Sequence, residues 1–324
     1  MLESVCPILQ RATTVYIATH ISPDGDAIGS ALGLSWALCA LGKQCTVACN
    51  DPASPSLSFL PGSQTIVKRL PSSEEVIVVL DTGDAPRLGA VYSPEAYTGR
   101  TVVNIDHHLS NTRFGTVNVI DPAAASVGEM VYSLVVALGI PINATIATCL
   151  LTAMVTDTMG FRTPSTTSQT LRIAATLVEA GAPLSAIVRQ SFENRPLPVL
   201  RMWGEVLSTY SVQDGVAWAT IPNRLMQRYG VAEDDIKGLV SVLRSTQGVL
   251  VSVLIMEGAG SVVKAEFRSD GKVNVATIAM ALGGGGHRAA SGCTVPGPLA
   301  AAEQRILNAV RKNLDGAGSV RTAA

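Results

Sequence analysis

Four short β-rich runs, TVYIATH, CTVACN, EEVIVVLD and TVVNIDHH, alternate with helical patterns through the first half of the chain, and three of them close on an aspartate or a histidine. Continuous apolar strands set between helices indicate a parallel sheet covered on both faces. The helical patterns are AIGSALGLSWALCALG, then SVGEMVYSLVVALG with Gly139 near its C-terminus, then the strongly apolar NATIATCLLTAMVTDTMGF, which finishes in a polar turn. In a doubly wound sheet the carboxyl ends of the strands converge on one crevice. Polar residues that close separate strands are thereby delivered to one place.

The chain has 324 residues, more than one ordinary core needs, and the pattern changes after the middle. Residues 1–185 read as the sheet domain, which the family match below makes the catalytic one. The proline-bearing stretch 186–204 reads as a linker, 205–315 as a smaller α+β domain, and 316–324 as a disordered tail. Within the second domain, EVLSTYSVQDGVAWATIP carries the hairpin signal Asp214-Gly215. Two more strands, GVLVSVLIMEG and SVVKAEFRS, precede the glycine cluster GGGGHRAASG. The expected fold class is α/β, a doubly wound parallel-sheet catalytic domain with a second, smaller α+β substrate-binding domain.

Composition excludes several classes. With 47% hydrophobic and 15% charged residues the chain folds around a large interior, and its formal net charge of -1 gives no broad basic field for long duplex nucleic acid. An anionic substrate must be caught locally. Six cysteines, at 6, 39, 45, 49, 149 and 293, form no C-x-x-C pair, which argues against a zinc knuckle or a disulfide framework. No secretory leader and no membrane-length apolar run is evident, so the reading is a cytoplasmic protein with no membrane partner.

The chain has four histidines, and His107 and His108 stand side by side after Asp106. Alone, such a pair reads as one satisfied buried imidazole and one surface residue. It is not alone: His20, Asp24 and Asp26 follow the first strand in ATHISPDGDAIGS, Asp81 ends the third in VVLDTGD, and Asp157 lies in VTDT at the end of the apolar helix. Asp26 could be a helix N-cap, and Asp81 and Asp84 could be turn formers around Gly83. Convergence makes those readings insufficient. Two carboxylates about 4 Å apart repel by about 4 kcal/mol at an effective dielectric near 20, and none of the motif loops supplies a Lys or Arg beside them. Carboxylates mixed with imidazoles and free of cysteine suit manganese or a similar divalent ion rather than structural zinc. Four acids and two histidines are enough for two ions sharing a bridging carboxylate, the arrangement that activates water and clamps a phosphoryl oxygen.

At these residues the sequence resembles the DHH phosphoesterase family. DHH at Asp106 to His108, HISPDGDAIGS, LDTGD and TDT occur in the family's order, and FRS with GGGGHRAASG look like the DHH-associated C-terminal domain. The resemblance implies that His20, Asp24 and Asp81 hold one ion and Asp26, Asp81, His107 and Asp157 the other, with Asp81 as the bridge. It implies two Mn2+ ions, with Mg2+ or Co2+ as alternatives. Asp106 would orient its neighbours, and His108 would face the scissile phosphate. Substrate binding would fall to Arg268, Ser269, Gly283, Gly284, Gly285, Gly286 and His287. The four glycines can expose backbone N–H groups to phosphate oxygens, while Arg268 and His287 add charge or hydrogen bonds.

Length and domain plan resemble the family's bacterial oligoribonuclease (nanoRNase)/pAp phosphatase branch. That branch implies hydrolysis of short RNA to mononucleotides, of pAp to AMP, and in some members of cyclic di-AMP or linear pApA. The alternatives are a RecJ-like single-strand exonuclease, which usually carries a further nucleic-acid-binding domain, and a non-catalytic nucleotide sensor, which would have lost ligand residues. Oligomeric state is open, with a homodimer among the options.

Overall fold

The computed structural model describes residues 4–236 and 238–318. The chain forms two compact units that divide between Asn194 and Arg195. The first is built on a five-stranded, all-parallel sheet of β1 (Thr14–Ala18), β2 (Gln44–Ala48), β3 (Val76–Leu80), β4 (Thr101–Asp106) and β5 (Val117–Ile120), in the order β2-β1-β3-β4-β5. Alternate residues leave the two faces of each strand. Val15, Ile17, Val78, Leu80, Val103 and Ile105 pack beneath the long helices Gly25–Ala40, Val127–Ala137 and Ala144–Asp157. Tyr16, Ala18, Ile77 and Val79 pack on the other face against Leu88, Val91 and Tyr97, from the short helical segments Ala85–Val91 and Pro94–Tyr97. Strand order reverses at β1, so the ends of β1, β3 and β4 open on one crevice.

Close packing of two helices sets the width of that crevice. A Cβ on Gly29 would lie 2.5 Å from the carbonyl oxygen of Cys149 and 2.9 Å from the nitrogen of Ala153. Only glycine lets the backbone of Gly25–Ala40 rest on that of Ala144–Asp157, and the contact draws the start of one helix to the end of the other.

The second unit carries a six-stranded mixed sheet: β6 (Ser211–Gln213), β7 (Val216–Ile221), β8 (Val251–Glu257), β9 (Val262–Ser269), β10 (Gly285–Gly286) and β11 (Ala290–Pro296). Their order is β10-β11-β9-β8-β7-β6, with β7 and β8 the parallel pair. Asp214 (φ 51°) and Gly215 (φ 76°) make the expected tight hairpin between β6 and β7.

Two boundaries differ from the sequence reading. Most of the stretch 186–204 is helical: Leu184–Val188 and a π turn Arg189–Glu193 close the first unit, and the helix Leu197–Thr209 opens the second. Pro196 and Pro198 stand before and within the first turn of that helix, where a missing N–H leaves no bond unmade. Val199, Met202, Trp203 and Val206 form its buried stripe, so these residues are core rather than linker. The expected tail is helical as far as it is described: the helix Leu299–Gly318 includes 316–318, and 319–324 lie outside the described residues. Among the described residues no single helix is long and apolar enough to cross a membrane.

Candidate metal centre and substrate surface

The loop after β1 presents His20, Asp24 and Asp26. Asp24, rather than Asp26, is the N-cap of Gly25–Ala40: its Oδ1 accepts the N–H groups of Asp26 and Ala27, each at 3.0 Å. Asp26 turns inward, fully buried, and accepts Val127 N–H at 2.7 Å and Gly128 N–H at 2.9 Å from the next long helix. His20 Nδ1 stands 2.7 Å from the carbonyl oxygen of Ile21, which can only accept. The proton is therefore on Nδ1, and Nε2 points its lone pair at Asp81 Oδ2, 3.5 Å away.

Asp81 follows β3 in the left-handed region, at φ 55°, an uncommon conformation that aspartate tolerates better than most residues. Its buried Oδ1 accepts no hydrogen bond. His107 is oriented by Ala124, whose carbonyl oxygen lies 3.1 Å from Nδ1. Its Nε2 faces Asp26 Oδ2 at 3.8 Å, Asp81 Oδ1 at 3.7 Å and Asp157 Oδ2 at 3.7 Å. Asp157 ends its helix, where the macrodipole already disfavours an anion.

Ligand-type atoms of His20, Asp24 and Asp81 all lie within 4.8 Å of one another, as do those of Asp26, Asp81 and His107, and a third such group joins Asp81, Asp106 and His108. Asp81 belongs to all three. Two donors each about 2.1 Å from a shared ion stand about 3–3.5 Å apart, so separations of 3.5–3.8 Å need little closing to grip one. Spacing, the unsatisfied Asp81 oxygen and an all-oxygen-and-imidazole donor set fit hard divalent ions.

Electrostatics agree. Burial first, then the neighbouring carboxylates, push the Asp26 and Asp81 carboxyls upward, because acids this close resist ionising together. Burial keeps His20 below its ordinary value. Burial would also lower His107, but Asp157, Asp26 and Asp81 outweigh it and raise the imidazole to about 9.

Asp106 and His108 form a hydrogen-bonded pair at the edge of this cluster, with His108 Nδ1 3.6 Å from Asp81 Oδ1. Asp106 Oδ1 lies 2.7 Å from His108 Nδ1 and accepts the His107 N–H at 2.9 Å, while Oδ2 accepts Asn111 Nδ2 at 2.6 Å. Burial alone would raise the Asp106 carboxyl. The bonds and charge from His108, with Asn111, prevail and hold it at about 2.

Sequence reading missed three contributors. Fully buried Asn104, on β4, donates to the carbonyl oxygen of Thr82 at 3.2 Å, and its Oδ1 takes Asn111 Nδ2 at 2.9 Å. The two asparagines tie the loop after β4 to the loop after β3. A polar residue inside an apolar strand was the available signal. The third is Arg87, whose carbonyl oxygen accepts Ile21 N–H at 2.7 Å and whose positive charge helps to lower His20. Its charge therefore reaches His20 from outside the motif loops.

In the second unit, Arg268 closes β9 and its Nη1 donates to the carbonyl oxygen of Phe267 at 2.9 Å. Ser269 serves the turn: its hydroxyl donates to Val273 O at 2.7 Å and accepts Gly271 N–H. The glycine run is not an open cradle. Gly283 and Gly284 spend their N–H groups on Met280 O and Ala279 O, and Gly285 and Gly286 pair with Gly292 and Ser291 of β11. These glycines allow close approach: a Cβ on Gly286 (φ 133°) would lie 2.6 Å from Cα of Ser291. His287 turns the chain at the tip of the hairpin, donating its N–H to Ala290 O at 2.7 Å.

Comparison with known proteins places this geometry. The model for the DHH family, N-terminal domain, matches residues 14–154, and that for the DHHA1 domain matches 214–315. A relative from Thermus thermophilus, the bifunctional oligoribonuclease and PAP phosphatase NrnA, is 40% identical over 308 residues, which cover 94% of this chain and 91% of that protein. Its namesake from Bacillus subtilis is 28% identical, over 87% of this chain and 89% of that protein. Among solved structures, an exopolyphosphatase-related protein from Bacteroides fragilis superposes with a TM-score of 0.86 at 26% identity, covering 97% of this chain and 95% of that one. With the family motifs on the ends of its parallel strands and relatives matching it over nearly their whole length, the chain belongs to the DHH family and carries a DHHA1 domain.

Proposed function

We propose that the protein is a divalent-metal-dependent phosphoesterase that removes mononucleotides from short oligoribonucleotides and converts pAp to AMP, with linear pApA or cyclic di-AMP as further substrates. The observation that carries this reading is the position of Asp81, common to two ligand groups, His20-Asp24-Asp81 and Asp26-Asp81-His107, with Asp157 facing the second. Relatives named for both activities align with nearly the whole chain and support the substrate class.

In this reading His20, Asp24 and Asp81 hold one ion, and Asp26, Asp81, His107 and Asp157 the other, with manganese preferred. Such a pair supplies an activated water and charge neutralisation for an in-line displacement at phosphorus. Asp106 fixes the His108 ring by holding Nδ1–H, which turns Nε2 toward the ester, where it accepts a proton as the neutral ring and donates one only as the doubly protonated ring. Arg268 and His287 of the second unit bind the nucleotide portion. The protein acts without a membrane partner and in the cytoplasm.

Turnover of pAp, pApA, cyclic di-AMP and an RNA length series with added manganese tests the proposal. With a net charge near zero, RNAs of about two to five nucleotides should be degraded much faster than twenty-mers. Rates that stay flat or rise with length would favour a processive single-strand exonuclease, and binding without turnover would favour a sensor.

A further inference from the structure

One corner of the second unit brings Arg244, Lys272 and Arg288 to the turn that follows β9, with two of them on one carboxylate. Asp270, after β9, lies 3.3 Å from Arg244 Nη2 and 3.4 Å from Lys272 Nζ. Arg288, beyond the glycine hairpin, places its Nε 2.6 Å from the carbonyl oxygen of Gly271 in the same turn. Arg268 precedes the turn on β9. Glu266, two residues earlier on the same strand face, is the next acid along. On a chain of net charge -1, a local excess of positive charge this large is a feature to be explained.

The corner is also stiff. Ser269 N–H donates to Ala289 O at 2.9 Å, Val275 N–H to Arg288 O at 2.9 Å, and Ser291 Oγ to Val275 O at 2.7 Å. These bonds fasten the turn after β9 to the loop that follows the glycine run. The backbone of both loops is thus committed internally, while the cationic side chains of Lys272, 72% exposed, and Arg288 stay in solvent. Such an arrangement recognises anions by side-chain charge rather than by a backbone cradle. A single terminal phosphate engages only part of this charge.

Resting on the phosphoesterase reading above, we infer that Lys272 and Arg288, backed by Arg244, form a second anion subsite that holds an additional backbone phosphate of a short RNA, beyond the group taken by Arg268 and His287. The subsite favours oligoribonucleotides over pAp, because only a longer chain presents the extra phosphodiester.

The test is equilibrium binding, in EDTA, of a fluorescent tetraribonucleotide, pAp and tripolyphosphate to the full chain. Wild type is compared with Lys272→Gln/Arg288→Gln, the charge-conserving Lys272→Arg/Arg288→Lys, and Asp270→Asn. The Gln pair should weaken the tetranucleotide at least ten times more than pAp, and should flatten the slope of log affinity against log salt by about 0.7, the value for one phosphate contact on a single strand. The charge-conserving pair should restore both, and Asp270→Asn should tighten RNA binding. Equal losses for the tetranucleotide and pAp, or none, overturn the subsite, and tripolyphosphate losing as much as RNA overturns its assignment to RNA. Binding is read without turnover, so an inactive wild type would count against the phosphoesterase reading and leave this result standing.

Discussion

Asp106 Oδ1 lies 2.7 Å from His108 Nδ1, and the same carboxylate is held from its other oxygen by Asn111 at 2.6 Å. The pair is a charge-assisted hydrogen bond in a buried place, so it fixes both the tilt of the ring and the nitrogen that carries the proton. Asp106→Asn keeps the shape but loses the charge and turns one of the two accepting oxygens into a donor. It should lower kcat about 10- to 100-fold with little change in manganese affinity, as measured by calorimetry. Asn111→Ala should do the same more weakly and also cost about 1–3 kcal/mol of stability. A variant that loses metal instead would make Asp106 a ligand.

Asp81→Ala should abolish hydrolysis and yet leave the fold intact. Its carboxylate belongs to His20-Asp24-Asp81, Asp26-Asp81-His107 and Asp81-Asp106-His108, and on the proposed reading its loss would separate the two ions. Without metal, removing one of several crowded acids relieves repulsion, so the metal-free variant should melt no lower than wild type. Near-normal turnover with saturating manganese would exclude Asp81 as the bridge.

Gly29→Ala tests whether helix approach sets the site. The added carbon meets backbone atoms at 2.5 and 2.9 Å, which cannot swing aside as a side chain could. Overpacking of this kind costs about 1–3 kcal/mol. It should also move Asp157 from Asp26 and weaken manganese binding. Full activity at an unchanged melting temperature would show that the helices can separate without disturbing the cluster.

Glu74 offers a pH-dependent test away from the site. Burial alone would raise its carboxyl, but hydrogen bonds from Arg69 and from the Ser72 N–H outweigh it and bring the group to about 2. A folded value below the ordinary 4.5 means that the stabilisation is complete above that pH and is lost as pH falls toward 2. Glu74→Gln should therefore cost about 1.5–3 kcal/mol at pH 7 and progressively less toward pH 2 in urea melts. An equal deficit at both ends would assign the loss to packing.

Much of this molecule was legible because its cues are local. Apolar runs marked β1 to β4, and the acids and histidines that close them marked the cluster. What stayed hidden depends on tertiary register. Asp26 looked like a cap for its own helix, but its carboxylate serves the helix that begins at Val127, and no local pattern announces that. Asn111 carries no local mark of its bonds to Asn104 and Asp106, which form only once β4 is in place. The glycine run suggested exposed N–H groups, whereas Gly283 and Gly284 give theirs to Met280 and Ala279, and Gly285 and Gly286 pair with β11. Strand β5, four residues long, was too short to stand out.

The bond from Val127 to Asp26 joins residues 101 positions apart, and Asp157 must arrive from farther still. During synthesis, a chain that has not yet extended beyond residue 157 lacks part of the ligand set, whatever its early strands have formed. Closing so long a loop comes late, since its entropy must be met before distant contacts reward it. Assembly of the acid and histidine cluster thus waits on the chain through Asp157, not on the early strands alone.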